Sequence, residues 1–191
     1  MTTGARTEAG KKLEGYWKSI RDAGEPTPFR SAFRMTAEIA PIAPHIVITE
    51  VLDGDIVFRL AGTGIASHQG IDITGRRYGD FAAPDQVARA VARIAAIHKF
   101  ACGFVSVHTE EYGRGVASEV EVTGFPLRGD GAAELMMVLA VTPVGRALTE
   151  KRETPLFLRP ASYIEFIDLG GGTPDDAAVI KSVNAAGAGG T

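Results

Sequence analysis

Between residues 11 and 23, Leu13, Tyr16, Trp17 and Ile20 recur at helical spacing, which predicts a short amphipathic helix whose apolar stripe must cover something. Gly24, Pro26 and Pro28 end it. Residues 29–44 mix prolines with Phe33, Met35, Ile39 and Ile42 and predict an ordered, partly helical approach to a sheet. The period then changes. Residues 45–52 and 55–61 are β-branched or aromatic runs divided by Asp53-Gly54, a strong hairpin signal. After Gly62, Thr63 and Gly64, residues 71–83 have room for only one or two helical turns. Pro84 opens the clearest helix, with Val87, Val91, Ile94 and His98 on one face and Arg89 and Arg93 opposite. Three strands follow at 103–112, 116–126 and 134–142. Their short links, 113–115 and 128–131, predict antiparallel neighbours.

The same pattern orders the strands. Val116, Val120 and Val122 alternate with Ala117, Glu119 and Glu121, which predicts one dry face and one wet face, with both glutamates outward. Residues 135–141 are apolar on both faces, as are Ile46, Val47 and Ile48, so these two strands are expected in the middle. Their second face needs a cover, either the Trp17 helix or a partner subunit. Four segments result: an N-terminal helix and linker (1–28), a central α+β domain (29–144), an extension packing on it (145–169) and a flexible Gly- and Ala-rich tail (170–191).

Charge and composition narrow the chemistry. A chain of 191 residues with 45% hydrophobic positions can build one ordinary core, and a formal charge of -3 without a basic stripe argues against a nucleic-acid surface. The lone Cys102 excludes internal disulfides and is expected to be a packing residue in a reducing, cytoplasmic setting. No apolar run is long enough to span a bilayer.

The Gly62-Thr63-Gly64 turn lacks a third glycine at Ser67 and a parallel strand with a closing acid, so its glycines are expected to serve backbone geometry, not a phosphate. His108-Thr109-Glu110 imitates half of a zinc-deaminase signature but lacks the paired cysteines. His45, His68, His98 and His108 are scattered, and Glu110 and Glu111 are expected to include a solvated face. His98, on the apolar face of its helix, is expected to be a satisfied histidine near the helix C-terminus.

Leu13, Tyr16 and Trp17, then Gly62, Thr63 and Ile65, then Gly70 with Asp72-Ile73-Thr74-Gly75, occur in an element order that resembles a bacterial family of small, near-single-domain PAS proteins. The resemblance spans residues 13–143. It implies a PAS fold: a five-stranded antiparallel sheet in the order 2-1-5-4-3 with helices on one face, the third strand at an edge, and the N-terminal helix covering the other face or mediating dimerisation. It implies a non-enzymatic sensory module that binds a small ligand or a protein partner. A pocket would lie near Val91, Ile94, His98, Val107, Val120, Val122, Met137 and Leu139, with Gly62, Thr63, Gly64, Gly70, Thr74 and Gly75 as the fold motif. It implies a homodimer through the N-terminal helix or outer sheet face, with no nucleic acid and no membrane. The ligand it implies is small and apolar or mixed. The alternatives are haem held by His98 and a ketosteroid-isomerase-like α+β enzyme, which would need an acid or base inside its pocket.

Overall fold

The computed structural model describes residues 6–112, 116–129, 135–144 and 155–188. Helix α1 (Glu8–Ser19) precedes two 3-10 turns and the hairpin of β1 (Ile46–Leu52) and β2 (Asp55–Ala61). Asp53 and Gly54 have φ of 53° and 75°, the left-handed pair that a two-residue hairpin turn requires. Helix α2 (Thr63–Gln69) and a 3-10 turn lead to α3 (Pro84–Phe100), β3 (Gly103–Tyr112), β4 (Val116–Arg128) and β5 (Leu135–Val144). The link at 113–115 and the second half of the link at 128–131 lie outside the described residues. So do the start of the extension, 145–154, and the end of the tail, 189–191.

The strands run β2-β1-β5-β4-β3, all antiparallel, with the two doubly apolar strands β1 and β5 side by side in the middle. This is the PAS order, and it sets aside the ketosteroid-isomerase-like arrangement. One expectation needs correction. β3 is not an edge, because β7 (Tyr163–Ile167) pairs with its first half and β6 (Pro155–Leu158) with its second. The two short apolar pieces after Pro143 thus extend the sheet. Where a flexible tail was expected, Asp176–Ala188 form helix α4, which packs on α3. Its Asp176 receives both Nε and Nη2 of Arg93, at 2.7 and 2.8 Å.

Helix α1 covers the outer face of the sheet. Leu13, Tyr16 and Trp17 are buried there against Ile46, Ile48, Phe125, Leu127 and Val138. The helix starts earlier than its periodicity suggests, because Thr7 caps it and is itself gripped by Glu121. The Thr7 N–H and hydroxyl donate to the Glu121 carboxylate at 2.9 and 2.7 Å, and the Thr7 hydroxyl oxygen accepts from the Gly10 N–H. Glu121 is therefore not a solvated outward residue. It lies on the outer face as expected, but α1 seals it in, only 5% exposed. The part of the outer face formed by β1, β5 and the end of β4 is thus occupied by the chain's own helix.

The fold motif divides into two kinds of glycine. Gly70 and Gly75 take φ of 80° and 82°, which side-chain-bearing residues avoid. Gly62 has an ordinary φ of -65° but stands where the chain crosses the 40–45 turn, and a Cβ there would meet the Ala43 carbonyl and lie 2.5 Å from that of Pro44. Gly64 is crowded by the same Pro44 carbonyl. The obstacle is backbone and cannot rotate away. Gly62→Ala is expected to destabilise the protein by about 1–3 kcal/mol in urea unfolding. A neutral result would show that the turn yields.

Candidate functional site

Strand β3 carries the inner site because its alternation is inverted. Register with β4 pairs Ser106 with Val122, His108 with Val120 and Glu110 with Ser118, so three polar side chains face inward, while Val105 and Val107 share the outer face with Thr123 and Glu121. A cavity of about 400 Å³ lies between the sheet and helices α2 and α3. Val47, Val120, Val122, Met137 and Leu139 form its floor, and Ile65, Gln69, Gln86, Arg89, Arg93 and Ile94 its roof. Leu158, Ala161, Ile164 and Ile180 close one side.

Of the expected pocket residues, Ile94, Val120, Val122, Met137 and Leu139 line this cavity, and Val91, His98 and Val107 do not. Val107 fails on strand parity. Val91 and His98, seven residues apart on one stripe of α3, turn toward its flank, where Val91 packs beside Ile94 and Ile97. His98 Nε2 donates to the Met136 carbonyl at 2.9 Å, so this imidazole is satisfied and is not placed to ligate a haem iron in the cavity. The cavity is also lined by Gln69, Gln86, Ser106, His108 and Glu110, polar residues that an apolar pattern does not mark. Their signal was the period-two spacing of Ser106, His108 and Glu110.

Glu110 is the pivot of the polar end and is not solvated. At 1% exposure its Oε1 accepts from Gln69 Nε2 at 2.9 Å, and its Oε2 pairs with His68 Nε2 at 2.8 Å and accepts the Tyr112 hydroxyl. These groups join α2 to β3, and the His68 and Tyr112 rings meet edge to face. Burial works to raise the Glu110 pKa, but the bonds from His68, Tyr112 and Gln69 outweigh it and hold the carboxyl below its ordinary value. At the other end Gln86 Nε2 donates to the Tyr78 hydroxyl at 2.8 Å, and burial pushes the Tyr78 pKa up. Burial lowers the pKa of both His98 and His108. The neutral His108 donates from Nδ1 to the Arg159 carbonyl at 3.4 Å, leaving Nε2 to accept from Ser106.

Among the described residues no group of three side chains is arranged to hold a metal ion, and no helix is long and apolar enough to cross a membrane. Cys102 is fully buried, and burial pushes its thiol pKa up to about 11, which suits packing and not catalysis.

The shifts predict acid lability in two stages. An imidazole whose folded pKa lies below its ordinary 6.5 is protonated first in the unfolded chain, so stability falls as pH drops through 6.5 toward the folded pKa. The Glu110 contribution is intact above its ordinary 4.5 and is lost as pH falls from there through its lower folded pKa. Urea midpoints are expected to hold steady above about pH 7, decline below 6.5 and decline again below 4.5. His98→Gln should flatten the first limb. A midpoint independent of pH between 6.5 and 4.5 would contradict the assignment.

A family model for the PAS domain matches residues 5–140. It covers α1 to α3, β1 to β4 and the first part of β5, and stops before β6, β7 and α4, so one wall of the cavity comes from chain beyond the match. Among solved structures, one described as showing how a flavin analogue sheds light on the mechanism of a light-oxygen-voltage domain is 14% identical. It superposes with a TM-score of 0.43 over 58% of this chain and 87% of its own. No curated protein matches the chain.

Proposed function

The chain belongs to the PAS-domain family, and on that basis we propose that it binds a small molecule in the cavity and passes the event to a protein partner through α1. The observation that carries this reading is the cavity itself, whose volume of about 400 Å³ falls in the usual range of small-molecule sites and whose wall mixes apolar floor with a few placed polar groups. Binding, not catalysis, suits the polar end. Both Glu110 oxygens are occupied by donors, which leaves it no free role as a base.

Strand β4 supplies the route outward. Val120 and Val122 touch the cavity, while Glu121 between them grips the start of α1 and Thr123 lies under Gly10. A ligand that displaces the two valines shifts the carboxylate capping α1 and biases how firmly that helix docks. Dimer formation, in this proposal, uses the exterior of α1, since its apolar stripe is occupied by its own sheet. A cytoplasmic site of action goes with the free thiol of Cys102.

Native mass spectrometry of gently purified protein tests the reading. A retained small molecule in the wild type, lost in a cavity-filling Val122→Phe variant that still folds, is the expected result. Retention undiminished in that variant would remove the cavity from the account. Trp17 is the only tryptophan in the chain, so its fluorescence reports α1 docking when the cavity fills. If deleting residues 1–24 changes neither oligomeric state nor partner binding, the α1 route is wrong.

A further inference from the structure

Two glutamines in the cavity wall are each only 7% exposed, and each has an amide oxygen without a partner among the described residues. Buried polar groups in folded proteins are nearly always paired, so two unpartnered amide oxygens on residues that line one cavity point to a ligand that pairs with them. Their orientations are not equally free. Gln69 directs its amide nitrogen at Glu110 Oε1, and a carboxylate can only accept, so the other end of this cavity-lining amide is fixed as an acceptor. Gln86 faces the Tyr78 hydroxyl, which can donate or accept, so Gln86 can present either end of its amide.

The charges set a second condition. Arg93 is engaged by both oxygens of Asp176, and Arg89 is paired with Asp85 at 3.4 Å through Nη2, with its Nε open. The Glu110 carboxylate contributes negative charge to the wall. An anionic ligand would therefore meet two arginines already paired, a carboxylate and a fixed carbonyl-type acceptor. A neutral ligand with a donor meets none of these penalties, and an acceptor elsewhere on it would suit Arg89 Nε.

We propose that the cavity selects uncharged, mainly apolar molecules bearing an O–H or N–H donor, which docks on the Gln69 amide oxygen. The proposal rests on the reading of the cavity as a ligand site and adds the chemistry of what enters it.

Three probes of matched shape separate the possibilities by calorimetric titration of the full chain: 4-butylphenol, 4-butylanisole, in which the donor is methylated, and 4-butylbenzoate, which is anionic. The phenol is expected to bind about tenfold more tightly than the anisole, the gain of one buried hydrogen bond, with the benzoate weakest. Gln69→Met should bring the phenol-to-anisole ratio close to one. Because that substitution also strips a donor from Glu110, a second readout uses the wild type: the Gln69 side-chain amide resonances should shift with the phenol and not with the anisole. Equal binding of phenol and anisole, or tightest binding of the benzoate, overturns the inference while leaving the cavity as a ligand site. Binding of none of the three overturns both.

Discussion

Trp17→Ala is expected to lower the unfolding free energy by about 3–5 kcal/mol, the usual cost of deleting a buried large aromatic. The indole has no exposed surface, stacks at a tilt on Phe125 with ring centroids 5.7 Å apart, and donates from Nε1 to the Pro126 carbonyl at 2.7 Å. Alanine would leave a cavity between α1 and the sheet and strip that carbonyl of its buried partner. For a chain of this length the loss corresponds to a fall of about 6–20 °C in Tm. Circular dichroism in urea measures it, since the variant has no tryptophan fluorescence. Trp17→Phe, which keeps much of the packing and loses the donor, should cost distinctly less. A Trp17→Ala variant as stable as the wild type would mean that α1 is only loosely docked, and the proposed route through Glu121 would go with it.

Glu110→Ala is the second large effect, at about 3–5 kcal/mol, because it removes one partner of a buried charged cluster and leaves the others without their acceptor. His68, Gln69 and Tyr112 all direct polar atoms at that carboxylate. The loss should be greatest near neutral pH and shrink as pH falls below 4.5, where the unfolded chain's carboxyl is protonated first and the folded one follows at its lower pKa. Glu110→Gln keeps the shape and one acceptor and should fall between the two. Glu119→Ala, at an exposed position of β4, should change stability by less than about 0.5 kcal/mol. If Glu110→Ala and Glu119→Ala behave alike, the inner cluster does not hold α2 on the sheet.

The fold was largely legible along the chain because its signals are local. Asp53-Gly54 dictates a tight hairpin whatever surrounds it, Pro84 opens α3, and strands apolar on both faces, such as β1 and β5, have nowhere to go but the centre of a covered sheet. The site was legible only in its apolar half. Ile94, Val120, Val122, Met137 and Leu139 were found because they obey the rule that apolar residues point inward. Glu110 and His108 were missed because they break it. A carboxylate is buried only where donors from elsewhere meet it, and two of its donors, His68 and Gln69, are 42 and 41 residues away in the chain on α2.

The same distinction separates the two edges of the molecule. Alternation in β4 placed Glu121 on the outer face, but only the docking of α1 made that face dry and turned the glutamate into a helix cap. Residues 155–167 showed two short apolar pieces, and only their long-range pairing with β3 made them strands that close a cavity. The amino-acid sequence by itself determined helices α1 and α3, the hairpin, the central strands and the PAS character of the chain, because periodicity and turn chemistry act between near neighbours. Tertiary structure alone decided which polar groups are buried, which are paired and which two glutamine oxygens in the cavity wall are left without a partner, because burial and pairing are properties of what the rest of the chain brings to a residue.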